Sequence, residues 1–257
     1  MNAWLPCPYA GDYRFDAALV RDQWARLHAL DAEALPSDTA VLRAWALFHN
    51  GQFEAAEAAG LQAGWIGMAV ANRATAAYAT LLEPHEKPRL DLYQRIHERA
   101  RGYVAQRPDD ASAWYGLGYA LARCAQSIHI ARALAQGIGS QIRAALETAL
   151  KLAPSHAFAH AALGSFHAEV IDKVGPLVAA MAYGARADMA LEHLREAQRL
   201  APDSAAVLLD FAAALLMLDS QANLAEATRL QEQAAHIQAR DAAERLWVEL
   251  ARTNLAL

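Results

Sequence analysis

The stretch that decides the fold runs from Pro108 to Leu121 and reads Pro-Asp-Asp-Ala-Ser-Ala-Trp-Tyr-Gly-Leu-Gly-Tyr-Ala-Leu. Its proline comes round again as Pro154 and Pro202, at intervals of 46 and 48 residues. The ninth residue after each proline is Leu117, Leu163 or Phe211, and the tenth is Gly118, Gly164 or Ala212. A large apolar side chain and a very small one therefore recur in register, which is the mark of a repeat array. Each proline is followed by residues that accept hydrogen bonds at a helix N-terminus: Asp109 and Asp110, Ser155, then Asp203 and Ser204. Downstream, His160, Leu163, His167 and Val170 recur at steps of three and four, and so do Leu208, Phe211 and Leu215, which places each set on one helix face. Glycine inside a helix costs about 1 kcal/mol relative to alanine, so Gly118 and Gly164 require a closely packed neighbour. The small residues five positions before the next proline, Ala149 and Ala197, are the expected partners, with Leu146 and Leu194 filling the space alongside.

Composition agrees with an all-α chain. Alanine makes up roughly a quarter of the 257 residues, and strand-favouring types are few and scattered. With 55% hydrophobic residues the chain is long enough for a sizeable core, and we expect one elongated domain. Cys7 and Cys124 are too few for a disulfide framework, which points to a reducing, cytoplasmic setting. The first residues do not read as a secretory signal, and the apolar run Ala205 to Leu218 is interrupted by Asp210 and too short to span a bilayer. A net charge of −5 argues against a nucleic-acid partner. The cations between Glu86 and Arg107 form a local exception, read as a solvated face paired with neighbouring acids.

The segment Trp114-Tyr115-Gly116-Leu117-Gly118-Tyr119, followed by a late alanine and a proline, resembles the tetratricopeptide repeat (TPR) motif. In that motif the fourth, seventh, eighth and eleventh slots carry Trp, Leu, Gly and Tyr. Here they read Trp114, Leu117, Gly118 and Leu121, then His160, Leu163, Gly164 and His167, then Leu208, Phe211, Ala212 and Leu215. Asn50-Gly51-Gln52-Phe53-Glu54-Ala55-Ala56 resembles the turn and second-helix start of an earlier, degenerate unit. The resemblance covers residues 38 to 240 and implies a right-handed superhelix of antiparallel helix pairs. A capping segment at residues 1–37, degenerate pairs over 38–108, units at 109–154, 155–202 and 203–240, and a closing helix over 241–257 complete the expected order. Residues 14 to 31 read as one amphipathic helix.

These units exceed the usual repeat of about 34 residues. The surplus falls in two apolar, glycine-bearing insertions, Ser127 to Gln141 and Ile171 to Asp188. The layout resembles TPR components associated with TRAP transporters, the regulator-of-microtubule-dynamics family, and uncharacterised bacterial TPR proteins.

Chemistry-bearing patterns are weak. His156, His160 and His167 lie near one side of a helix, but two of them occupy packing slots, and no HExxH or paired CxxC is present, so neither a metal nor a cofactor is expected. Cys124 and His129 stand on different helix faces, and no Gly-x-Ser-x-Gly turn or third glycine beside Gly116-x-Gly118 appears, so the chain does not read as an enzyme. The resemblance instead implies a binding face. Carried over slot by slot, it comprises Ser112, Tyr115, Tyr119, Ala122 and Arg123, then Phe158, Ala161, Ser165, Ala168 and Glu169, then Ala206, Leu209, Ala213, Leu216 and Met217. It lacks the Lys and Asn set of chaperone-type TPR carboxylate clamps. A protein or peptide partner is the leading expectation. A small apolar ligand roofed by residues 128–141 and 171–188, self-covering, and a second copy of the chain are the alternatives. Burying about 400 Å² of apolar surface is worth roughly 10 kcal/mol before association costs, enough for any of them.

Overall fold

A computed structural model describes residues 3–126 and 136–256. Every regular element among them is helical. In chain order these are α1 (Ala17–Asp22), α2 (Trp24–Leu27), α3 (Thr39–His49), α4 (Phe53–Gln62), α5 (Met68–Leu81), α6 (Glu86–Gln106), α7 (Ala111–Ala125), α8 (Ile138–Leu152), α9 (Ala157–Val174), α10 (Ala187–Leu200), α11 (Ala205–Ala235) and α12 (Ala242–Leu255). A 3₁₀ turn at Gly64–Gly67 leads into α5, and a short helical segment with a π turn spans Pro176–Val178 and Ala179–Tyr183.

Local chemistry fixes most boundaries. Asp110 accepts hydrogen bonds from the Ser112 and Ala113 amides at the start of α7, and Ser204 accepts from Val207 at the start of α11. His156 supplies the same service to Ala159 through Nδ1, a capping role for histidine that its sequence position did not announce. Replacing such a cap costs about 1 kcal/mol. Pro108, Pro154 and Pro202 stand just before these starts, as the repeat reading requires. Each proline carbonyl also meets a side-chain nitrogen: Trp114 Nε1–H donates to Pro108 at 2.8 Å, His160 Nε2 lies 3.1 Å from the Pro154 oxygen, and Gln233 donates to Pro202 at 3.3 Å.

The turn at Asn50–Gln52 also behaves as read. Gly51 sits at φ 78, and a β-carbon there would lie 2.9 Å from Ala242 Cβ and 3.0 Å from Cys7 Sγ, so both backbone sign and space demand glycine. The poorly matched region 61–90 resolves into the end of α4, the 3₁₀ turn, α5 and the start of α6.

The chain divides into two compact units. The first comprises residues 1–29, 33–127 and 239–246; the second comprises 30–32, 128–238 and 247–257. In the first, α3 packs on α4, α5 on α4 and α6, and α7 on α6. Its core holds Leu42, Trp45, Phe48, Phe53, Val70, Tyr78, Leu92 and Ile96. In the second, α9 packs against α8, α10 and α11. There Leu146, Leu163, Leu194, Leu208 and Leu230 are fully buried, and Phe211 and Leu215 are buried too, so the large motif residues of α9 and α11 pack inside, whereas Leu117 on α7 is half-buried.

Four details differ from the sequence reading. Residues 14–31 do not form one helix: α1 ends at Asp22, Gln23 breaks the path, and α2 has a single turn before a non-helical stretch begins at His28. Gly164 faces α10, but its neighbours are Leu194 and Ala190 and not Ala197. A methyl on it would lie 2.6 Å from Leu194 Cγ and 2.9 Å from the Ala190 carbonyl. Ala197 instead joins the cluster of Ala157, Ala161, Ala201 and Val207. The second insertion is shorter than its sequence suggests, because α9 runs on through Ile171 to Val174. Finally, α11 is two helices joined at Asp219, whose backbone leaves the helical region at φ −163 and ψ 100, and whose carboxylate accepts from the amides of Gln221 and Ala222. By length and composition α11 passes for a membrane span, but half of its apolar window is buried in the fold and Asp219 interrupts it.

Candidate functional site

The residues assigned to the binding face lie on α7 (Tyr115, Tyr119, Arg123), α9 (Phe158, Ser165, Glu169) and α11 (Leu209, Ala213, Leu216, Met217). In the first unit the face is a built aromatic surface. The Tyr115 and Tyr119 rings lie 5.8 Å apart, and the Arg123 guanidinium sits 5.1 Å from the centre of the Tyr119 ring, within cation–π range. Tyr119 also meets Tyr93 of α6 edge-on at 6.3 Å.

Hydroxyls lock this surface. Thr80 Oγ1, near the end of α5, lies 2.9 Å from both the Tyr93 and the Tyr119 oxygens. Three hydroxyl protons serve two bonds, so one donor remains over whichever way the network is arranged. Burial pushes the Tyr93 phenol far above its ordinary range, and the neighbouring Tyr119 adds to the shift, so Tyr93 keeps its proton at any physiological pH. The sequence named Tyr115, Tyr119 and Arg123 through their slots. Thr80 and Tyr93 carried no such signal, because their own helices match the motif poorly.

In the second unit Phe158, Ser165 and Glu169 are half-buried along α9, and Ala161 and Ala168 are buried between them. On α11, Ala213 is exposed and Leu216 and Met217 are half-buried, whereas Leu209 at 8% and Ala206 at 5% exposure are turned inward.

The proposed roof is described in part. Residues 127–135 of the first insertion, with Ile128, His129, Ile130 and Leu134, lie outside the described residues. In the second, Gly175 and Gly184 take φ 78 and 63 at its two ends. Ala179 and Tyr183 are buried, and Tyr183 packs so near Gly139 that a β-carbon there would lie 2.6 Å from its ring. Leu177, Val178 and Met181 point outward at 73%, 47% and 81% exposure.

Of the three histidines singled out on α9 and its cap, His156 and His167 are buried and His160 is half-buried. His167 is buried, and burial first, then His193 and Arg143, hold its pKa down to about 4. His160 Nδ1 and His193 Nδ1 are 2.9 Å apart. Because a carbonyl can only accept, the contact of His160 Nε2 with Pro154 puts the His160 proton on Nε2, and His193 then donates to His160. Among the described residues no group of three or more His, Cys, Asp or Glu side chains could hold a metal ion. Cys7 and Cys124 are both buried free thiols, and burial raises the Cys124 pKa to about 11, the opposite of an activated nucleophile. Three of the cations of α6 have acidic partners: Arg99 lies 2.8 Å and Arg95 3.8 Å from the Glu57 carboxylate, and Lys87 lies 3.6 Å from Asp91.

These helix pairs, with their proline-marked turns and buried motif leucines, define a TPR-type fold. Among solved structures, the chain is similar to a thermophilic TPR protein of Thermus thermophilus with a TM-score of 0.58 at 19% identity, over 83% of this chain and 97% of that one. No protein-family model matches the sequence, and the search of curated proteins found no match. The fold is thus an all-α TPR-like helical repeat.

Proposed function

We propose that the protein is a non-catalytic interaction protein of the cytoplasm that holds a segment of a partner protein on its concave face. The observation that carries this reading is the Tyr115–Tyr119–Arg123 surface. Tyrosine and arginine dominate the energetic centres of protein interfaces because they offer large rigid contact area with a polar handle. Here both rings are half-buried, Tyr119 is held by its hydroxyl contact with Thr80, and Tyr115 packs against Tyr119. Such preorganisation lowers the entropy cost of association. Phe158, Ser165 and Glu169, and Ala213, Leu216 and Met217, supply the equivalent positions of the later helices.

The test replaces Tyr115 and Tyr119 with alanine. Binding to a partner captured by the unmodified chain should weaken at least tenfold while the helical circular dichroism spectrum stays unchanged. Equal binding by both proteins would remove the face from the account.

A further inference from the structure

In the second unit, α9 and α10 bring two imidazoles together nitrogen to nitrogen. His160 Nδ1 and His193 Nδ1 stand 2.9 Å apart, with ring centroids 5.2 Å apart and planes tilted by 39°. Both residues are half-buried, so the pair is open to water. The two helices are fixed against each other one turn further along α9, where Gly164 lies so close to Leu194 and the Ala190 carbonyl that no β-carbon would fit. Packing of the helices, and not the side chains alone, therefore sets the spacing of the rings.

His160 is also oriented from behind. Its Nε2 lies 3.1 Å from the Pro154 carbonyl, which keeps the proton on that nitrogen and turns the Nδ1 lone pair toward His193. Metal-bound histidines are fixed in the same way, with the far ring N–H donating to a carbonyl or carboxylate while the near nitrogen ligates. Carboxylates add negative charge around the pair. Glu192 and Glu147 act on His193, and Glu196, which also pairs with Arg199, feels the charge of His160.

The spacing decides which ion fits. Two nitrogens at about 2.0–2.1 Å from one ion stand roughly 2.9 Å apart when their bonds meet at a right angle, and roughly 3.3 Å apart at the tetrahedral angle. The observed 2.9 Å is the right-angle value. Right-angled nitrogen ligands suit the square-planar and tetragonal geometries of copper(II) and nickel(II), whereas zinc(II) favours the tetrahedron. Ligation uses the lone pair that now accepts from His193, so His193 must carry its proton on Nε2 instead of Nδ1. That tautomer shift leaves both rings neutral and releases no proton. His167 stacks on His193 with the rings 6.3 Å apart and has no hydrogen-bond partner for its buried Nδ1. It does not complete a set of three ligands, since no such group exists among the described residues.

We propose that His160 and His193 form a two-histidine site for a divalent transition-metal ion of square-planar preference, copper(II) or nickel(II), which joins α9 to α10 and takes water in its other positions. Neither residue belongs to the binding face described above.

The experiment titrates the full-length chain, carrying no histidine tag, with the chlorides of copper(II), nickel(II), zinc(II) and magnesium in a non-chelating buffer. Calorimetry should show one equivalent of copper(II) or nickel(II) bound at least fivefold more tightly than zinc(II), and no binding of magnesium. His160→Leu and His193→Leu should each weaken the copper site at least tenfold, and His167→Leu should bind as the parent does. Where a leucine variant loses the helical spectrum, His160→Gln or His193→Gln takes its place with the same expected loss. At one equivalent of copper, electron paramagnetic resonance should show a tetragonal spectrum split by two nitrogens in the parent and in His167→Leu, and not in the variants at 160 and 193. Unchanged copper affinity in the variants at 160 or 193 would overturn the site. Loss of binding in His167→Leu would overturn the two-ligand assignment, and a site that prefers zinc would overturn the square-planar one.

Discussion

His49 Nδ1 donates to Asp241 Oδ2 at 2.6 Å, joining the end of α3 to the residue that caps α12 across 192 positions of sequence. The far nitrogen of the same ring lies 3.4 Å from His28 Nε2, and the rings of Trp45, Phe48 and Phe15 close around it. Both partners are buried, so neither exchanges this bond for water. Asp241 also accepts from the Glu244 amide, which starts the closing helix.

Breaking a buried pair by removing one member leaves the other without compensation and typically costs 3–5 kcal/mol. Asp241→Ala should therefore destabilise the protein by about 3 kcal/mol in urea unfolding. Burial alone would raise the Asp241 pKa, but the bond and charge of His49, with the Glu244 amide, hold it below its ordinary 3.8. A depressed carboxylate stabilises the fold above its ordinary pKa and loses that contribution as pH falls through the depressed value. The unmodified protein should lose this increment in strong acid, and Asp241→Asn should show a flatter profile there. Identical acid profiles would contradict the assignment.

His167 gives a second, separate pH window. Its pKa is lowered from 6.5 to about 4, so the unfolded chain binds a proton that the folded chain refuses. Stability is then complete above pH 6.5 and falls as the pH drops toward 4. His193 moves in the same direction, through burial and then the charge of His160, with Glu192 and Glu147 opposing. Leucine fills the slot of His167 in the neighbouring units, at Leu121 and Leu215. His167→Leu should therefore fold normally and melt with less loss of stability between pH 7 and pH 5 than the parent. An unchanged slope over that range would show that His167 is already charged in the fold.

Gly164→Ala pits two effects against each other. Alanine gains about 1 kcal/mol of helix propensity over glycine. Its methyl, however, would sit 2.6 Å from Leu194 Cγ and 2.9 Å from the Ala190 carbonyl, a backbone atom that cannot turn aside. Overpacking of this kind costs about 1–3 kcal/mol. We expect a net loss of stability and a lower melting temperature, measured by circular dichroism. A gain would mean that α9 and α10 separate easily.

The repeat was readable because its markers act locally. A proline before a cap, a large residue and a small one seven and eight positions into the helix, and Asn50-Gly51 at a turn each impose their own backbone or packing requirement, whatever the rest of the chain does. What escaped depends on contacts far apart in sequence. Gly164 announces a close neighbour, but whether it is Leu194 or Ala197 follows from how far α9 slides along α10. The Thr80 hydroxyl that fixes Tyr119 belongs to a helix with little motif character. The break at Asp219 was visible in principle as an aspartate that caps a following turn, yet the surrounding alanines and leucines disguise it as continuous helix.

The proposed partner face is most directly tested by placing a photo-crosslinking phenylalanine analogue, one position at a time, at Tyr119 and Phe158, with Lys87 on the exposed side of α6 as the reference. After irradiation with a captured partner, mass spectrometry should find partner peptides joined at positions 119 and 158 and nothing joined at 87. Crosslinks at position 87 with none at 119 or 158 would place the partner elsewhere and contradict the account.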